Sequence, residues 1–149
     1  MNIKITKMTN EHISGVIKLE NECFSEPWSY KGIQNEISND NAYFIVAILD
    51  NTIVGYSGMH CIYGDCYITN IAVSQDYRRL GIGKALLNAF IKHAEKQNYN
   101  FISLEVRESN TPAINLYKSF RFKKVGIRKD FYNKPKENAI IMTYDFIKV

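Results

Sequence analysis

The sequence contains few of the features that mark secreted or membrane-bound proteins. It has only three cysteines and three prolines among 149 residues, and no apolar run approaches the length that a bilayer-spanning helix needs. The first residues, 1–5, lack the apolar core of a signal peptide. We therefore expect a cytoplasmic protein that does not use a membrane as a partner.

The sequence also lacks linkers and internal repeats. No tract rich in proline, glycine or serine divides it, and no segment recurs. A hydrophobic content of 46% with 23% charged residues is ordinary for a globular protein, and 149 residues are enough for one hydrophobic core. These properties predict a single domain over residues 1–149.

The three cysteines are too few, and odd in number, for a disulfide framework. Cys61 and Cys66 follow His60, but they offer only one pair of thiols and no second pair to complete a metal site. Residues 63–65 between them, Tyr-Gly-Asp, are typical of a hairpin turn. We expect free thiols on strands and no bound metal.

The net charge of +4 is modest, but five basic residues cluster near the end of the chain. They are Arg121, Lys123, Lys124, Arg128 and Lys129. Their alternation with Phe122 and Val125 predicts a half-buried strand with a solvated face. Such a face can also attract an anionic cofactor or another anionic partner. We expect no direct binding of nucleic acid.

Hydrophobic periodicity predicts alternating helices and strands. Helices are predicted at 9–23, after a Ser29 cap through residue 37, directly after the glycine pair at 81–83, and at 111–119 with Thr111 as N-cap. Strands are predicted at 3–6, 43–49, 52–62, 66–73, 101–106, 122–128 and 138–146, with turns at 50–51 and 64–65 and a loop at 130–137. This order predicts an α/β fold with one mixed sheet flanked by helices.

The most informative segment is Arg78–Lys84, RRLGIGK, which precedes an apolar helical stripe. Two glycines one residue apart allow a tight turn, and the first amides of the helix that follows can bind an anion. The segment is not a Walker A loop, because Arg78 and Ala85 stand where that loop has Gly and Ser or Thr. It also lacks the third small residue of a dinucleotide fingerprint, because Leu86 occupies that position.

The motif R-x-x-G-x-G, formed by Arg78, Gly81 and Gly83, resembles that of the GNAT acyltransferases. Membership would imply a mostly antiparallel sheet whose strands splay apart to form a cleft for acetyl-coenzyme A. The resemblance implies that backbone groups of Ile71, Ala72 and Val73 pair with the pantetheine arm. It also implies a pyrophosphate site at the amides of Arg79, Leu80, Gly81, Ile82 and Gly83 and at Lys84, with Asn110 bonding the cofactor.

A second segment, residues 104–110 with the sequence LEVRESN, carries chemistry suited to amine acylation. On a strand, Glu105 shares one face with Ser103 and Arg107, and a carboxylate on a covered face can act as a general base. Tyr117 can donate a proton to the departing thiolate. This route needs neither a covalent nucleophile nor a metal.

The same residues resemble the branch of GNAT that acetylates N-terminal alanines of bacterial ribosomal proteins. LEVRESN and the AINLY run at 113–117 carry the resemblance, together with FSEPWS at 24–29, NIAV at 70–73 and DFY at 130–132. In that branch the residue matching Glu105 accepts a proton and the residue matching Tyr117 donates one. The resemblance also implies that Trp28 and Tyr132 border the peptide.

Two positions depart from this branch. Arg121 stands in FRF where glycine is common, which predicts a strained or differently capped helix end. Phe131 stands where tyrosine is common, which bears on peptide selectivity.

We therefore expect an enzyme that transfers acetyl from acetyl-coenzyme A to the α-amine of a protein N-terminus, most specifically the alanine of a small-subunit ribosomal protein. The sequence leaves two alternatives. One is a GNAT enzyme that acetylates a small-molecule amine or a lysine side chain. The other is a coenzyme A-binding or ribosome-associated module without turnover.

Overall fold

The computed structural model describes residues 2–146, which form a seven-stranded sheet and four α-helices. The helices are α1 (Ile13–Cys23), α2 (Tyr30–Ile37), α3 (Ile82–Lys96) and α4 (Thr111–Ser119). The strands are β1 (Lys4–Lys7), β2 (Ala42–Leu49), β3 (Thr52–Ile62), β4 (Asp65–Val73), β5 (Phe101–Arg107), β6 (Lys123–Tyr132) and β7 (Glu137–Asp145). Short 3-10 turns at Asn10–His12 and Gln75–Tyr77 precede α1 and the turn into α3. The predicted α/β fold is confirmed.

The sheet order is β1-β2-β3-β4-β5-β7-β6. All neighbours are antiparallel except β4 and β5, which are parallel. Because parallel neighbours need a crossover, α3 carries the chain across the sheet between these two strands. The one parallel pair therefore stands in the middle of the sheet, with antiparallel strands on both sides.

Helices cover the sheet on both faces because each helix has one apolar side. On one face, Leu86, Leu87 and Phe90 of α3 are fully buried against strand residues such as Ile102. A second cluster contains Val16 of α1 with residues of α2, β2 and β3. The apolar stripe predicted after the glycine pair is thus confirmed as a core element.

The two tight hairpins follow their local sequence. Asp50 and Asn51 both have positive φ, as do Tyr63 and Gly64, which is the geometry of two-residue hairpin turns. The second turn lies within the Tyr-Gly-Asp segment at 63–65 and one residue before the turn predicted at 64–65. Ser29 caps α2 as predicted, accepting a hydrogen bond from the backbone of Gly32 at 3.0 Å.

Several boundary predictions were wrong. The helix predicted at 9–23 divides into the 3-10 turn at Asn10–His12 and α1, which begins at Ile13. The cap of α4 is Asn110, whose side chain accepts a bond from Ala113 N at 3.2 Å, and Thr111 is the first helical residue. Asparagine is a stronger N-cap than threonine, which agrees with the observed cap. Strand β6 also continues to Tyr132 through an irregular register, which reduces the predicted loop at 130–137 to four residues. Within residues 2–146, no helix is long and apolar enough to cross a membrane.

Candidate active site

A cleft opens where β4 and β5 separate. The two strands pair only between Asp65–Tyr67 and Phe101–Ser103. Beyond these pairs, Thr69 has no partner in the register of β4 with β3. The resulting β-bulge changes the direction of β4. The separation leaves a cavity of about 670 Å³ in the middle of the sheet.

The cavity brings together residues that are far apart in sequence. Its lining comes from the loop at 23–26, from β4 next to Ile71, from β5 at 105–107, from α4 and from the hairpin at 131–135. Four predicted site residues lie in this lining beside Ile71, namely Glu105, Asn110, Tyr117 and Tyr132. The candidate acid and base therefore face one common space.

The glycine segment leads into α3 with the geometry of a candidate anion site. Gly81 is left-handed, with φ 84° and ψ 11°, and its carbonyl accepts the first helical bond, from Ala85 N at 3.0 Å. The amides of residues 82–84 precede that first bond, so they point out of the helix end. Arg79 also has positive φ, at 65°, which turns the chain into the helix. This geometry and the dipole of a 15-residue helix favour a phosphate here.

Strand β4 lies between this candidate anion site and the cavity. Ser74 N donates to Val54 O of β3 at 2.9 Å. Because main-chain groups alternate in direction along an antiparallel ladder, those of Ala72 also point towards β3, whereas those of Ile71 and Val73 point into the cleft. The Val73 carbonyl accepts from Arg78 Nε at 3.2 Å. Ile71 and Val73 are thus the residues of this stretch that offer main-chain groups to a ligand in the cleft.

Glu105 projects into the cavity from β5. It alternates with Leu104 and Val106, which are buried on the opposite face, as the strand pattern predicts. Its side chain is 30% exposed, and Oε2 lies 3.4 Å from Nη1 of Arg128 on β6. The carboxylate therefore combines access to the cavity with a cationic neighbour.

Tyr117 reaches the cavity from α4 and is only 4% exposed. Burial, together with a smaller effect of the neighbouring Tyr132, raises the pKa of Tyr117. The phenol is therefore fully protonated at neutral pH, as a proton donor must be. Its ring packs against Phe122, with the ring centroids 5.8 Å apart.

The end of α4 explains how Tyr117 is held. Phe122 N donates to Tyr117 O at 3.0 Å and Arg121 N donates to Lys118 O at 2.9 Å, which together form a Schellman motif. Arg121 occupies its left-handed position with φ 71°, where glycine is usual. The strain predicted at this helix end is confirmed.

Tyr132 closes the opposite side of the cavity. The guanidinium of Arg107 lies 4.4 Å from its ring centroid, and burial together with the nearby Glu105 carboxylate raises the pKa of Tyr132 to about 12. Arg107 also donates to the carbonyls of Asn133 and Pro135, at 3.1 and 2.8 Å. One arginine of β5 therefore holds the hairpin that covers the site.

Comparison with known proteins decides the family. The model of the acetyltransferase (GNAT) family matches residues 13–122. The chain belongs to the GNAT acetyltransferase family. Among its GNAT relatives is a ribosomal protein bS18-alanine N-acetyltransferase of Escherichia coli, 30% identical over 141 residues, which cover 93% of this chain and 94% of the relative. An N-alpha-acetyltransferase of Sulfurisphaera tokodaii is 37% identical over 134 residues, or 80% of each chain.

A solved GNAT structure agrees with the fold. The crystal structure of the ribosomal-protein-S18-alanine N-acetyltransferase from Escherichia coli superposes with a TM-score of 0.92 and 27% identity, covering 99% of this chain and 96% of that one. The resemblance to GNAT enzymes that modify ribosomal proteins is thereby confirmed, and this chain is an acetyltransferase. Among residues 2–146, no three histidine, cysteine or acidic side chains come together to hold a metal ion.

Sequence reasoning missed a buried carboxylate in this GNAT fold. Glu20 of α1 is fully buried and accepts hydrogen bonds from Trp28 N at 2.8 Å, from Asn70 Nδ2 at 3.0 Å and from the hydroxyl of Tyr56. It ties the loop at 24–29 to the bulged part of β4. The sequence did contain a signal for this burial. Glu20 stands seven residues after Ile13 and four after Val16, which places it on the apolar side of the helix.

The same network determines where Trp28 lies. Its backbone is held by Glu20, and its ring packs against Phe44 at a centroid distance of 6.2 Å. Trp28 is outside the lining of the cavity, so its predicted contact with a peptide stays a prediction. Ser25, three residues before Trp28, contacts the covering hairpin instead and donates to Lys134 O at 3.0 Å.

Proposed function

We propose that this acetyltransferase transfers acetyl from acetyl-coenzyme A to the α-amine of a protein N-terminus, and that its target is the N-terminal alanine of a small-subunit ribosomal protein. The observation that carries the proposal is the convergence of Glu105 and Tyr117 on one cavity between the splayed strands. The names of the relatives support the substrate class. A ribosomal substrate would place the reaction in the cytoplasm.

The cofactor would lie along the cleft from the anion site to the cavity. Cleft-facing main-chain groups of Ile71 and Val73, flanking Ala72, suit a pantetheine arm because its amides need hydrogen-bond partners. The pyrophosphate would bind at the start of α3, at the amides of Arg79, Leu80, Gly81, Ile82 and Gly83 and at Lys84. Asn110 uses its Oδ1 to cap α4, which leaves its amide nitrogen to bond the cofactor.

In the proposed reaction the amine nitrogen attacks the thioester carbonyl carbon. A C–N bond forms, the C–S bond breaks, and the attacking amine loses a proton to Glu105, directly or through water. Tyr117 donates its proton to the departing thiolate sulfur, which its raised pKa allows because the phenol is still protonated. General acid and base groups contribute about 10² to 10⁴ in rate, in addition to positioning.

Proton equilibria favour an α-amine over a lysine as the acceptor. With a pKa of about 7.7–8.0, an α-amine is roughly one quarter neutral at cytosolic pH. A lysine with a pKa of about 10.4 is roughly one part in a thousand neutral. A single, partly exposed carboxylate such as Glu105 is better suited to deprotonate an α-amine than a lysine side chain.

The walls around the cavity suit a peptide end. Tyr132 and Phe131 line one side and the loop at 23–26 lines the other, and the two sides meet at the bond from Ser25 to Lys134. A chain terminus could enter between them with its amine directed at Glu105. We propose that Tyr132 and Trp28 border the bound peptide. Trp28 lies on the loop at 24–29, whose first residues line the cavity.

The decisive experiment is intact-mass spectrometry of peptides incubated with the protein and acetyl-coenzyme A. The panel contains ribosomal-protein N-terminal peptides that start with alanine, each matched to the same peptide with a blocked α-amine and an internal lysine. One acetyl group on the free peptide and none on the blocked peptide is the expected result. Acetylation of the blocked peptide would show a lysine acceptor.

A second panel of small amines tests the remaining alternatives. Faster acetylation of a polyamine or aminoglycoside than of any peptide would replace the proposal with a small-molecule activity. If acetyl-coenzyme A binds and no acceptor is modified, the module without turnover would be the better description.

A further inference from the structure

Cys61 and Cys66 face each other across the hairpin of β3 and β4. They are direct partners in the antiparallel register, one pair before the turn at Tyr63 and Gly64. Cys61 N donates to Asn41 O on the β2 side at 2.7 Å, so the two cysteines form a non-hydrogen-bonded pair. In such pairs the Cα atoms are about 4.5 Å apart, which is within the range that disulfides span, about 4.4–6.8 Å.

The two thiols differ in access and are in contact with each other. Cys66 is fully buried, whereas Cys61 is half-buried. The interaction between the two thiols lowers the pKa of Cys61 and, with burial, raises the pKa of Cys66. The more accessible thiol is thus the one more easily ionised, and thiolates are the nucleophiles of thiol chemistry.

The pair lies at the closed end of the cleft. Cys66 pairs with Ile102 in the three-residue parallel ladder that joins β4 to β5. The third cysteine, Cys23, is elsewhere and donates to Val73 O at 3.5 Å. A disulfide between Cys61 and Cys66 would therefore form within one hairpin and would leave Cys23 reduced.

We propose that Cys61 and Cys66 are a redox-modification site that closes to a reversible disulfide when a peroxide is present. The Cys61 thiolate attacks the peroxide, an S–O bond forms, the O–O bond breaks, and water leaves after protonation of the released hydroxide. The Cys66 thiol then attacks the Cys61 sulfur: the S–S bond forms, the S–O bond of the sulfenic acid breaks, and the hydroxide leaves with the Cys66 proton as a second water. Two thiols are oxidised and one hydrogen peroxide is reduced to two waters, and a small dithiol reverses the change.

Intact-mass spectrometry of the full chain tests this proposal without depending on acetyl transfer. The C23S variant, which retains only the pair, is treated with hydrogen peroxide, denatured and alkylated. The expected result is loss of the mass of two hydrogen atoms per chain, no alkylatable thiol, and recovery of both thiols after a dithiol reductant. The wild-type chain should lose the same mass and keep one alkylatable thiol, mapped to Cys23.

Two matched variants identify the thiols that react. C61S should lose no hydrogen mass, and C66S should accumulate a sulfenic acid at Cys61 that a dimedone reagent traps. Circular dichroism before oxidation checks that both variants are folded, and the C23S result stands without them. Oxygen addition without loss of two hydrogens in C23S, disulfide-linked dimers, or hydrogen loss that persists in C61S would each overturn the proposal.

Discussion

The two strands that border the cleft contribute in different ways. Strand β4 offers main-chain groups of Ile71 and Val73, and its bulged segment is held by the buried Glu20 through Asn70. Strand β5 offers side chains, with Glu105 in the cavity and Arg107 under the covering hairpin. Ligand binding by the main chain of β4 depends on the position of the backbone, whereas the contribution of β5 depends on which side chains it carries. Substitutions on the two walls should therefore impair different properties.

The largest effect is expected on the β5 wall. Glu105→Gln should lower kcat/KM by about 10³-fold at neutral pH, because the amide cannot accept the proton of the attacking amine. Activity should recover in part as pH rises through the pKa of the α-amine, since more acceptor is then already neutral. Initial rates at several pH values measure both effects, with the exposed Glu108→Gln as a matched control. Equal rates for Glu105→Gln and wild type would remove the base role.

The second prediction concerns the support of the β4 wall. Glu20→Ala should lower the free energy of unfolding by about 3 kcal/mol, because Trp28 N, Tyr56 and Asn70 would lose a buried acceptor. Urea unfolding measures the change, and the exposed Glu11→Ala is the control, expected within about 0.5 kcal/mol of wild type. A loss as small as that of the control would show that the network does not support β4.

The third prediction concerns Tyr117, the candidate proton donor on α4. Tyr117→Phe should lower kcat by about 10²-fold with little change in the KM for acetyl-coenzyme A, because only the proton donor is lost and the ring remains packed on Phe122. Steady-state kinetics and cofactor titration separate the two parameters. The matched control is Tyr63→Phe, at a side chain that is 99% exposed. A change confined to cofactor affinity would assign Tyr117 to binding instead.

The smallest effect is expected at Arg121, at the end of α4, where a substitution should change stability and leave turnover unchanged. Arg121→Gly should raise the free energy of unfolding by about 1 kcal/mol, because glycine adopts the left-handed conformation at this helix end without a Cβ penalty. Turnover should stay close to that of wild type, since Arg121 contacts neither Glu105 nor the cavity. Thermal unfolding and a rate measurement test this. The exposed Arg79→Gly, also at positive φ, is a comparison for unfolding alone, because Arg79 lies at the proposed pyrophosphate site. Destabilisation by Arg121→Gly would contradict the strain argument.

Local patterns were sufficient for much of the fold. The hairpin at Asp50 and Asn51, the cap at Ser29 and the left-handed Gly81 all depend on residues within a few positions of one another. Even the strain at Arg121 could be expected, because a left-handed helix end disfavours a side chain. At Asn110 and Thr111, two neighbouring residues can both cap a helix, and the prediction chose threonine although asparagine is the stronger N-cap.

Long-range contacts were beyond such patterns. Arg107 binds the backbone of Asn133 and Pro135, more than 25 positions away, and β6 extends to Tyr132 because β7 supplies a partner there. The burial of Glu20 likewise depends on Tyr56 and on Asn70. Each of these contacts exists only after the sheet has assembled.

The sequence by itself determined the α/β elements and the glycine turn before α3, because these depend on short-range periodicity and glycine conformation. The candidate acid and base came from residue chemistry together with the resemblance to the GNAT family. Only the tertiary structure decided that β4 and β5 part after three pairs, that Glu105 and Tyr117 face one cavity, and that Cys61 and Cys66 meet across a hairpin. The physical reason is that strand pairing and burial are properties of the whole sheet, and no short segment contains the partner that its side chains will meet.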